Sequence, residues 1–241
     1  AISEFELTCH SGNLKEIEIC FRSRNFELLK QELTRQKRLD ADLVAHLATA
    51  KANGYRLWQE AKKANSFDVF APALNELIVL RKEQAIQLNE GTTYWETLAQ
   101  PFEPDLSIGR LRELFAPLKA RLPDLIESVK SWSLPAESSW DLDETAQKFL
   151  CEKLLNDWGR DSSLTCIASS PHPFSTTLGP KDFRLTSRVV PGQPLSSFLA
   201  SAHEWGHSLY EQGLHFKGHQ WFAWPLGQAT SMSVHESQSL F

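Results

Sequence analysis

The sequence predicts a mainly α-helical protein that carries a small β-sheet in its last third. Apolar residues recur at helical spacing over roughly the first 160 residues. Two later stretches, 163–169 and 183–190, alternate or are rich in β-branched residues, which predicts two short strands joined by a loop that contains HPF at 172–174. A further amphipathic stretch contains the pattern H-E-x-x-H. We therefore expect helices, then a small sheet, then two helices.

Spacing predicts two amphipathic helices early in the chain. Between Asp40 and Asn65 the apolar positions lie three, four or seven residues apart, as in a helix that buries one face. Pro72 stands where the next helix can begin, and Gly91 ends its apolar stripe. The apolar positions of the first of these helices are Leu43, Leu47, Ala50, Leu57 and Ala61.

Two further helices are predicted before the sheet. Apolar residues between positions 105 and 132 share one helical face, and Pro117 and Pro123 are expected to interrupt or kink this helix. Asp141, followed three residues later by Glu144, resembles a capping box that opens the next helix. We expect all these helices to serve as scaffold.

Composition excludes several classes of protein. With 25 Lys and Arg against 30 Asp and Glu, the net charge is -5, so no basic field favours a nucleic-acid partner. No apolar run approaches the roughly 18 residues of a membrane span, so no membrane partner is expected. The four cysteines form no C-x-x-C pair, which predicts reduced thiols and a cytoplasmic location. The chain also lacks an initial Met and stops in an amphipathic stretch, so we expect a piece of a longer protein.

The pattern H-E-x-x-H indicates a metal site on a helix that Ser196 or Ser197 is expected to cap and that is expected to run to Gly213. His203 and His207 lie one turn apart on one face, where two imidazoles can reach one Zn²⁺ at ~2.0–2.1 Å. Glu204 follows the first ligand directly, so it is placed to act on water at the metal as a general base.

Gly206 lies inside this helix, where it costs about 1 kcal/mol relative to Ala. A closely packed neighbour is therefore expected at this position.

A catalytic zinc needs a third protein ligand and an open position. Two kinds of candidate follow the motif: a histidine or a carboxylate. A carboxylate on a second helix after Pro225, facing the first, would complete a His₂Glu site. The apolar residues Ala229, Met232 and Leu240 suggest that these two helices pack together. The candidates for the third ligand are His215, His219, His235 and Glu236.

Several segments together resemble the carboxypeptidase Taq family of His-Glu zincin metallopeptidases. Weaker similarity extends upstream through ANSFDVFAPALNEL at 64–77 and FEPDLS at 102–107, so that it covers nearly the whole chain. The segments that carry the resemblance are HPF at 172–174, DFRLT at 182–186, HEWGH at 203–207 and HESQS at 235–239.

The resemblance implies a zincin-like helical metallopeptidase with a small β-sheet beside an active-site groove. It implies His203, His207 and Glu236 as metal ligands, Glu204 as the catalytic base, and zinc as the metal, with cobalt also supporting activity. The implied reaction removes single C-terminal amino acids from peptides or proteins, and the full-length protein is expected to be a homodimer. We divide the chain into a helical region, 1–160, and a region 161–241 with the sheet and both ligand helices, as parts of one larger catalytic domain.

Some features leave alternatives open. The family's later motifs, I/L-R-x-x-A-D and G-x-x-Q-D-x-H-W, and its opening helices have no counterpart here, so the chain by itself is expected to be inactive. His172 is either a substrate contact or a loop anchor, and Arg184 is either a substrate contact or the ion-pair partner of Asp182. Other enzymes with H-E-x-x-H are endopeptidases or aminopeptidases. A noncatalytic helical interaction protein with structural zinc is the remaining alternative, and a fourth protein ligand would favour it.

Overall fold

The computed structural model describes residues 14–132, 142–214 and 221–240, which form two compact units. The first holds residues 14–101 with Ala223–Leu226, and the second holds the described residues from Phe102 to Phe222 and from Gly227 onward. The helices are α1 (Leu14–Gln36), α2 (Ala41–Ala64), α3 (Ala71–Leu88), α4 (Tyr94–Ala99), α5 (Ile108–Lys130), α6 (Glu144–Asp157), α7 (Pro194–Leu214) and α8 (Met232–Ser239). The strands are β1 (Thr165–Ser169), β2 (Phe174–Gly179) and β3 (Asp182–Ser187).

This mainly helical architecture with a small sheet confirms the predicted fold class. Within the part of the chain that is described, no helix combines the length and apolar character that a bilayer crossing requires.

The first unit is built on α2 and α3, where the spacing of apolar residues predicted two helices. Asp40 caps α2 by accepting a hydrogen bond of 2.7 Å from the backbone N–H of Asp42, which satisfies a donor that the helix cannot. Asn65 ends α2 in the left-handed conformation, with φ at 47°. The predicted apolar stripe is buried at Leu43, Leu47, Ala50 and Ala61.

Two helix predictions need correction, and one helix was missed. Asp141 lies outside the described residues, and α6 is capped by Asp143, which accepts a 2.7 Å hydrogen bond from the N–H of Ala146. The helix α5 runs without interruption through Pro117 and Pro123. Each proline removes only its own N–H from the hydrogen-bond ladder, and the other bonds of this 23-residue helix hold it together. Finally, α4 was not predicted; a short capping box formed by Thr93 and Glu96 starts it.

The sheet has three strands in the order β1-β3-β2, so the prediction of two strands was wrong. β1 pairs parallel and β2 antiparallel with β3. The third strand, β2, lies in the segment where a loop was expected. Its sequence F-S-T-T-L-G lacks the apolar alternation of a half-buried strand, and its two apolar residues, Phe174 and Leu178, are exposed. Ser175 pairs with Leu185, and residues paired directly across two strands share one face of the sheet. That face packs on α7.

The helix α7 is fixed by its burial against α6 and the sheet. Trp205 is fully buried together with Leu155 and Leu185. Its indole N–H donates a 3.2 Å hydrogen bond to the carbonyl of Trp158, so the polar atom of this side chain is satisfied as well. Trp205 therefore anchors the H-E-x-x-H turn against the core.

A buried polar contact holds the start of the same helix. α7 begins at Pro194 rather than at a serine cap, and Ser197 lies within its first turns. The hydroxyl of Ser197 donates a 2.8 Å hydrogen bond to Gln147 Oε1 on α6, and both side chains are buried. Ser197 therefore joins two helices instead of capping one.

Gly206 allows α8 to pack closely on α7, as the sequence predicted. A Cβ at this position would lie 2.6 Å from the Cα of Ser239 and 2.9 Å from the carbonyl oxygen of Gln238. The expected contribution of Met232 and Leu240 to this packing was wrong, because their exposed fractions are 47% and 79%. The contact between α7 and α8 depends on the close approach of their backbones at Gly206 and Ser239.

The Gly206→Ala variant is expected to destabilise the protein by about 1–3 kcal/mol, because the added methyl group overlaps backbone atoms that cannot move easily. This loss of packing energy outweighs the roughly 1 kcal/mol by which Ala stabilises a helix interior relative to Gly. The measurement is urea unfolding of the metal-free protein. Gly213→Ala is the matched control on the same helix, because a Cβ there meets nothing within 4 Å. Equal stability of the two variants would contradict the proposed close packing.

Candidate metal centre

Two helices of the second unit bring three metal-binding side chains together. His203 and His207 lie one turn apart on α7, with their Nε2 atoms 3.2 Å from each other. Glu236 on α8 places its Oε2 atom 3.7 Å from Nε2 of His203 and 3.5 Å from Nε2 of His207. Within the described residues, these three form the one group of His, Cys, Asp or Glu side chains with such convergence.

The donor set fits a tetrahedral divalent metal. Metal–ligand bonds of ~2.0–2.1 Å in tetrahedral geometry separate the donor atoms by about 3.3–3.4 Å. The separations of 3.2, 3.5 and 3.7 Å lie close to this value. Two imidazoles with one carboxylate are also the donor set of catalytic zinc sites that keep a fourth position open. Among the candidates for the third ligand, His215 and His219 lie outside the described residues.

Glu204 is buried beside the metal-binding group, on the same turn as His203. Burial raises the pKa of its carboxyl group above the ordinary value of 4.5, while a hydrogen bond from Ser175 and the charges of His203 and His172 act in the opposite direction. Its exposed fraction is 7%. A carboxylate with a raised pKa accepts a proton more readily than a solvated one, which suits a general base. Ser175 was missed because its strand was not predicted.

His207 is held in the neutral form that a metal ligand needs. Burial lowers the pKa of its imidazole, and the nearby His235 lowers it further against the opposing charge of Glu236. The ring of His235 stacks on that of His207, with centroids 4.4 Å apart. His235 donates from Nε2 to Oε1 of Glu211 at 2.9 Å. The Nε2 atom of His235 is therefore bonded to Glu211 and does not join the donor atoms of His203, His207 and Glu236.

The remaining predicted site residues lie in different environments. His172 is close enough to Glu204 for its charge to act on that carboxyl group. Arg184 donates two hydrogen bonds of 2.8 Å to Asp182, in an exposed ion pair. On β3, Arg184 alternates with the buried Leu185, so it lies on the face of the sheet opposite to α7. The structure thus brings His172, but not Arg184, to the side of the sheet that carries Glu204.

A second contact fixes the N-terminus of α8. Ser231 caps this helix by accepting from the N–H of Val234. Glu103 adds a carboxylate, which accepts hydrogen bonds of 3.0 Å from the backbone N–H and 2.6 Å from the hydroxyl of Ser233. A negative charge is stabilised at a helix N-terminus by the free N–H groups there. Glu103 lies in the FEPDLS segment, for which the sequence indicated no role.

Stability of the α8 anchor is expected to depend on pH. The hydrogen bond from Ser233 holds the pKa of Glu103 below its ordinary value of 4.5. A lowered pKa in the folded state means that the ionised form stabilises the fold above the unfolded-state pKa, and that this contribution is lost as pH falls through the lowered value. Thermal unfolding should therefore show Glu103→Ala less stable than the parent at pH 7, with a difference that shrinks as pH falls below 4.5. A difference that does not change with pH would contradict this role.

Comparison with known proteins agrees with this geometry. The model of the carboxypeptidase Taq (M32) metallopeptidase family matches residues 4–241. The chain belongs to this family. Membership implies a divalent metal, and the cluster of two histidines and a glutamate fits one. The family assignment from the sequence motifs is confirmed.

Relatives of this M32 chain include carboxypeptidases from two bacteria. It is 30% identical to thermostable carboxypeptidase 1 of Thermus thermophilus over 223 residues, covering 87% of the chain and 43% of the relative. It is 28% identical to carboxypeptidase 1 of Bacillus subtilis over 218 residues, covering 89% of the chain and 43% of the relative. The chain thus spans less than half the length of these curated relatives.

Solved structures show the same fold. The M32 carboxypeptidase of Deinococcus radiodurans R1 superimposes with a TM-score of 0.77 and 28% identity, over 90% of this chain and 44% of the other. Metallocarboxypeptidase 1 of Trypanosoma cruzi gives a TM-score of 0.76 and 26% identity, over 94% of this chain and 47% of the other. Both similarities confirm a helical metallopeptidase fold.

Proposed function

We propose that the protein is a zinc-dependent metallocarboxypeptidase that releases single C-terminal amino acids from peptides. The observation that carries this proposal is the convergence of His203, His207 and Glu236, with the buried carboxyl group of Glu204 beside them. Three protein donors leave a position for water or substrate. The family's name and its carboxypeptidase relatives favour the C-terminal direction. Cobalt is expected to replace zinc with retained activity.

The chain's own residues account for metal binding and proton transfer. His203, His207 and Glu236 would hold the metal. A bound divalent metal supplies Lewis acidity, which makes water a stronger nucleophile and the peptide carbonyl a better electrophile. Glu204 takes one proton from the attacking water and later gives it to the nitrogen of the leaving amino acid, so its protonation is unchanged after each cycle. Burial raises the pKa of Glu204 in the metal-free protein.

Strand β2 offers a place for the peptide backbone. It is at the edge of the described sheet, and Ser175 on β2 hydrogen-bonds to Glu204. The free edge of such a strand can pair with an extended peptide through backbone hydrogen bonds. A substrate bound along β2 would therefore bring a peptide bond to the side of the sheet where Glu204 lies.

Blocked peptides test the direction of cleavage. With the full-length protein, a peptide that has a blocked N-terminus and a free C-terminus is expected to lose amino acids one at a time, whereas the same peptide with an amidated C-terminus should be cut slowly or not at all. Mass spectrometry of the products distinguishes the cases. Release of N-terminal residues would indicate an aminopeptidase, and internal cleavage an endopeptidase.

A full-length protein that binds zinc but cleaves none of these peptides would be the noncatalytic zinc-stabilised alternative. The homodimer, the cytoplasmic location and the division at residue 160 stay predictions from the sequence.

A further inference from the structure

Glu211 continues the row of metal ligands along α7. It lies four residues after His207, just as His207 lies four residues after His203, so the three side chains project from one face of the helix. Glu211 does not reach the group of metal donors. Its Oε1 atom instead accepts a 2.9 Å hydrogen bond from Nε2 of His235 on α8. The side chains of this pair are only 20% and 17% exposed.

His235 links two of the metal ligands. Its ring stacks on the ring of His207 at a centroid distance of 4.4 Å and an interplanar angle of 26°. The ring of Tyr210 also contacts the ring of His235, with centroids 5.1 Å apart and an interplanar angle of 77°. In the chain His235 directly precedes Glu236. Movement of this one imidazole would therefore disturb the ring of one ligand and the backbone of another.

We propose that the Glu211–His235 pair is a tether that positions His207 and Glu236 for metal binding. The hydrogen bond joins α7 to α8 beside the ligands, at a point separate from the close approach of Gly206 and Ser239. The hydroxyl of Ser239 contacts the carboxylate of Glu236 at 3.4 Å, and the stacked ring of His235 adds a constraint on the imidazole of His207. Groups that orient metal ligands in this way typically contribute 10–100-fold in metal affinity. The proposal rests on the metal centre proposed above, but not on peptide hydrolysis.

Two substitutions of Glu211 test the tether: one shortens the side chain and keeps its charge, and the other keeps its length and removes the charge. Glu211→Asp keeps the charge and shortens the side chain by one methylene, so its carboxylate no longer reaches His235. Glu211→Gln loses the charge and keeps an acceptor oxygen at the same distance. We expect Glu211→Asp to bind zinc about 10–100-fold more weakly than the parent, and Glu211→Gln to stay within about threefold of it. Chelator competition measures both constants. Gln212→Ala is the control, because Gln212 lies on the same turn and bonds only to Ser208 among the contacts described.

The visible spectrum of the cobalt-substituted protein provides an independent measurement, because it reports coordination geometry. It should change in Glu211→Asp and remain unchanged in Gln212→Ala. Thermal unfolding with and without zinc separates positioning from general stability: the rise in unfolding temperature on adding zinc should shrink in Glu211→Asp. If both temperatures fall by the same amount, the pair only supports the fold and the proposal is wrong.

Other outcomes are equally decisive. Parent-like zinc affinity of Glu211→Asp would overturn the tether, as would a Glu211→Gln variant as weak as Glu211→Asp. If Glu211→Asp does not fold, His235→Phe replaces it, because Phe keeps the stacked ring and removes the hydrogen bond; unchanged affinity in that variant would again overturn the proposal. Absence of zinc binding by the parent protein would instead refute the metal centre itself.

Discussion

In the full-length protein, the Glu204→Gln variant is expected to keep its metal and to lose peptide hydrolysis, with kcat lower by about 10²–10⁴-fold. Gln has the shape of Glu but cannot take a proton from water at neutral pH. The metal donors His203, His207 and Glu236 are untouched by the change. The measurement is release of free amino acid from an N-blocked dipeptide at equal zinc content, with kcat and KM determined separately.

The fold of this variant should not be weakened. Burial raises the pKa of Glu204 in the folded protein, so the ionised carboxylate is less favourable there than in the unfolded chain. The resulting penalty is absent below the unfolded-state pKa and grows as pH rises through the raised value. Without metal, Glu204→Gln should therefore be at least as stable as the parent at pH 7. Glu152→Gln, at an exposed position of α6, is a control for the substitution itself, and near-normal turnover in Glu204→Gln would rule out its role as the base.

Removal of the Glu236 carboxylate is expected to have the largest effect on metal binding. Glu236→Ala leaves two imidazoles as the donors of the described cluster, so zinc affinity should fall by more than the about 10–100-fold that is typical of supporting residues. Zinc content after dialysis against a mild chelator measures the loss. The unfolding temperature of the metal-free protein should change little, because the side chain of Glu236 is 48% exposed.

His219→Ala provides the contrast to Glu236→Ala. His219 was a candidate for the third ligand, and we expect its removal to leave zinc content close to normal. If His219→Ala empties the site and Glu236→Ala does not, the third ligand is misassigned. The family assignment does not depend on this outcome, since it rests on a match to residues 4–241.

Local features of this protein could be predicted from the sequence. The buried stripe of α2 follows from spacing, because 3.6 residues per turn convert a sequence pattern directly into a helix face. The same geometry predicted the pairing of His203 with His207 and a close neighbour at Gly206. Strand β2 was missed because an edge strand with exposed apolar residues lacks the pattern of a buried one.

By itself, the sequence determined the helical class and the family, and it placed the candidate ligands His203 and His207 and the candidate base Glu204 on one helical turn. The sequence motifs also implied Glu236 as the third ligand, but only the tertiary structure decided that its carboxylate converges with the two imidazoles and which described residues surround them. Glu236, Ser175 and Glu103 come from other elements, and their distances to α7 or α8 depend on how those elements pack. Packing brings together residues that are far apart in the chain, so no local spacing records these contacts.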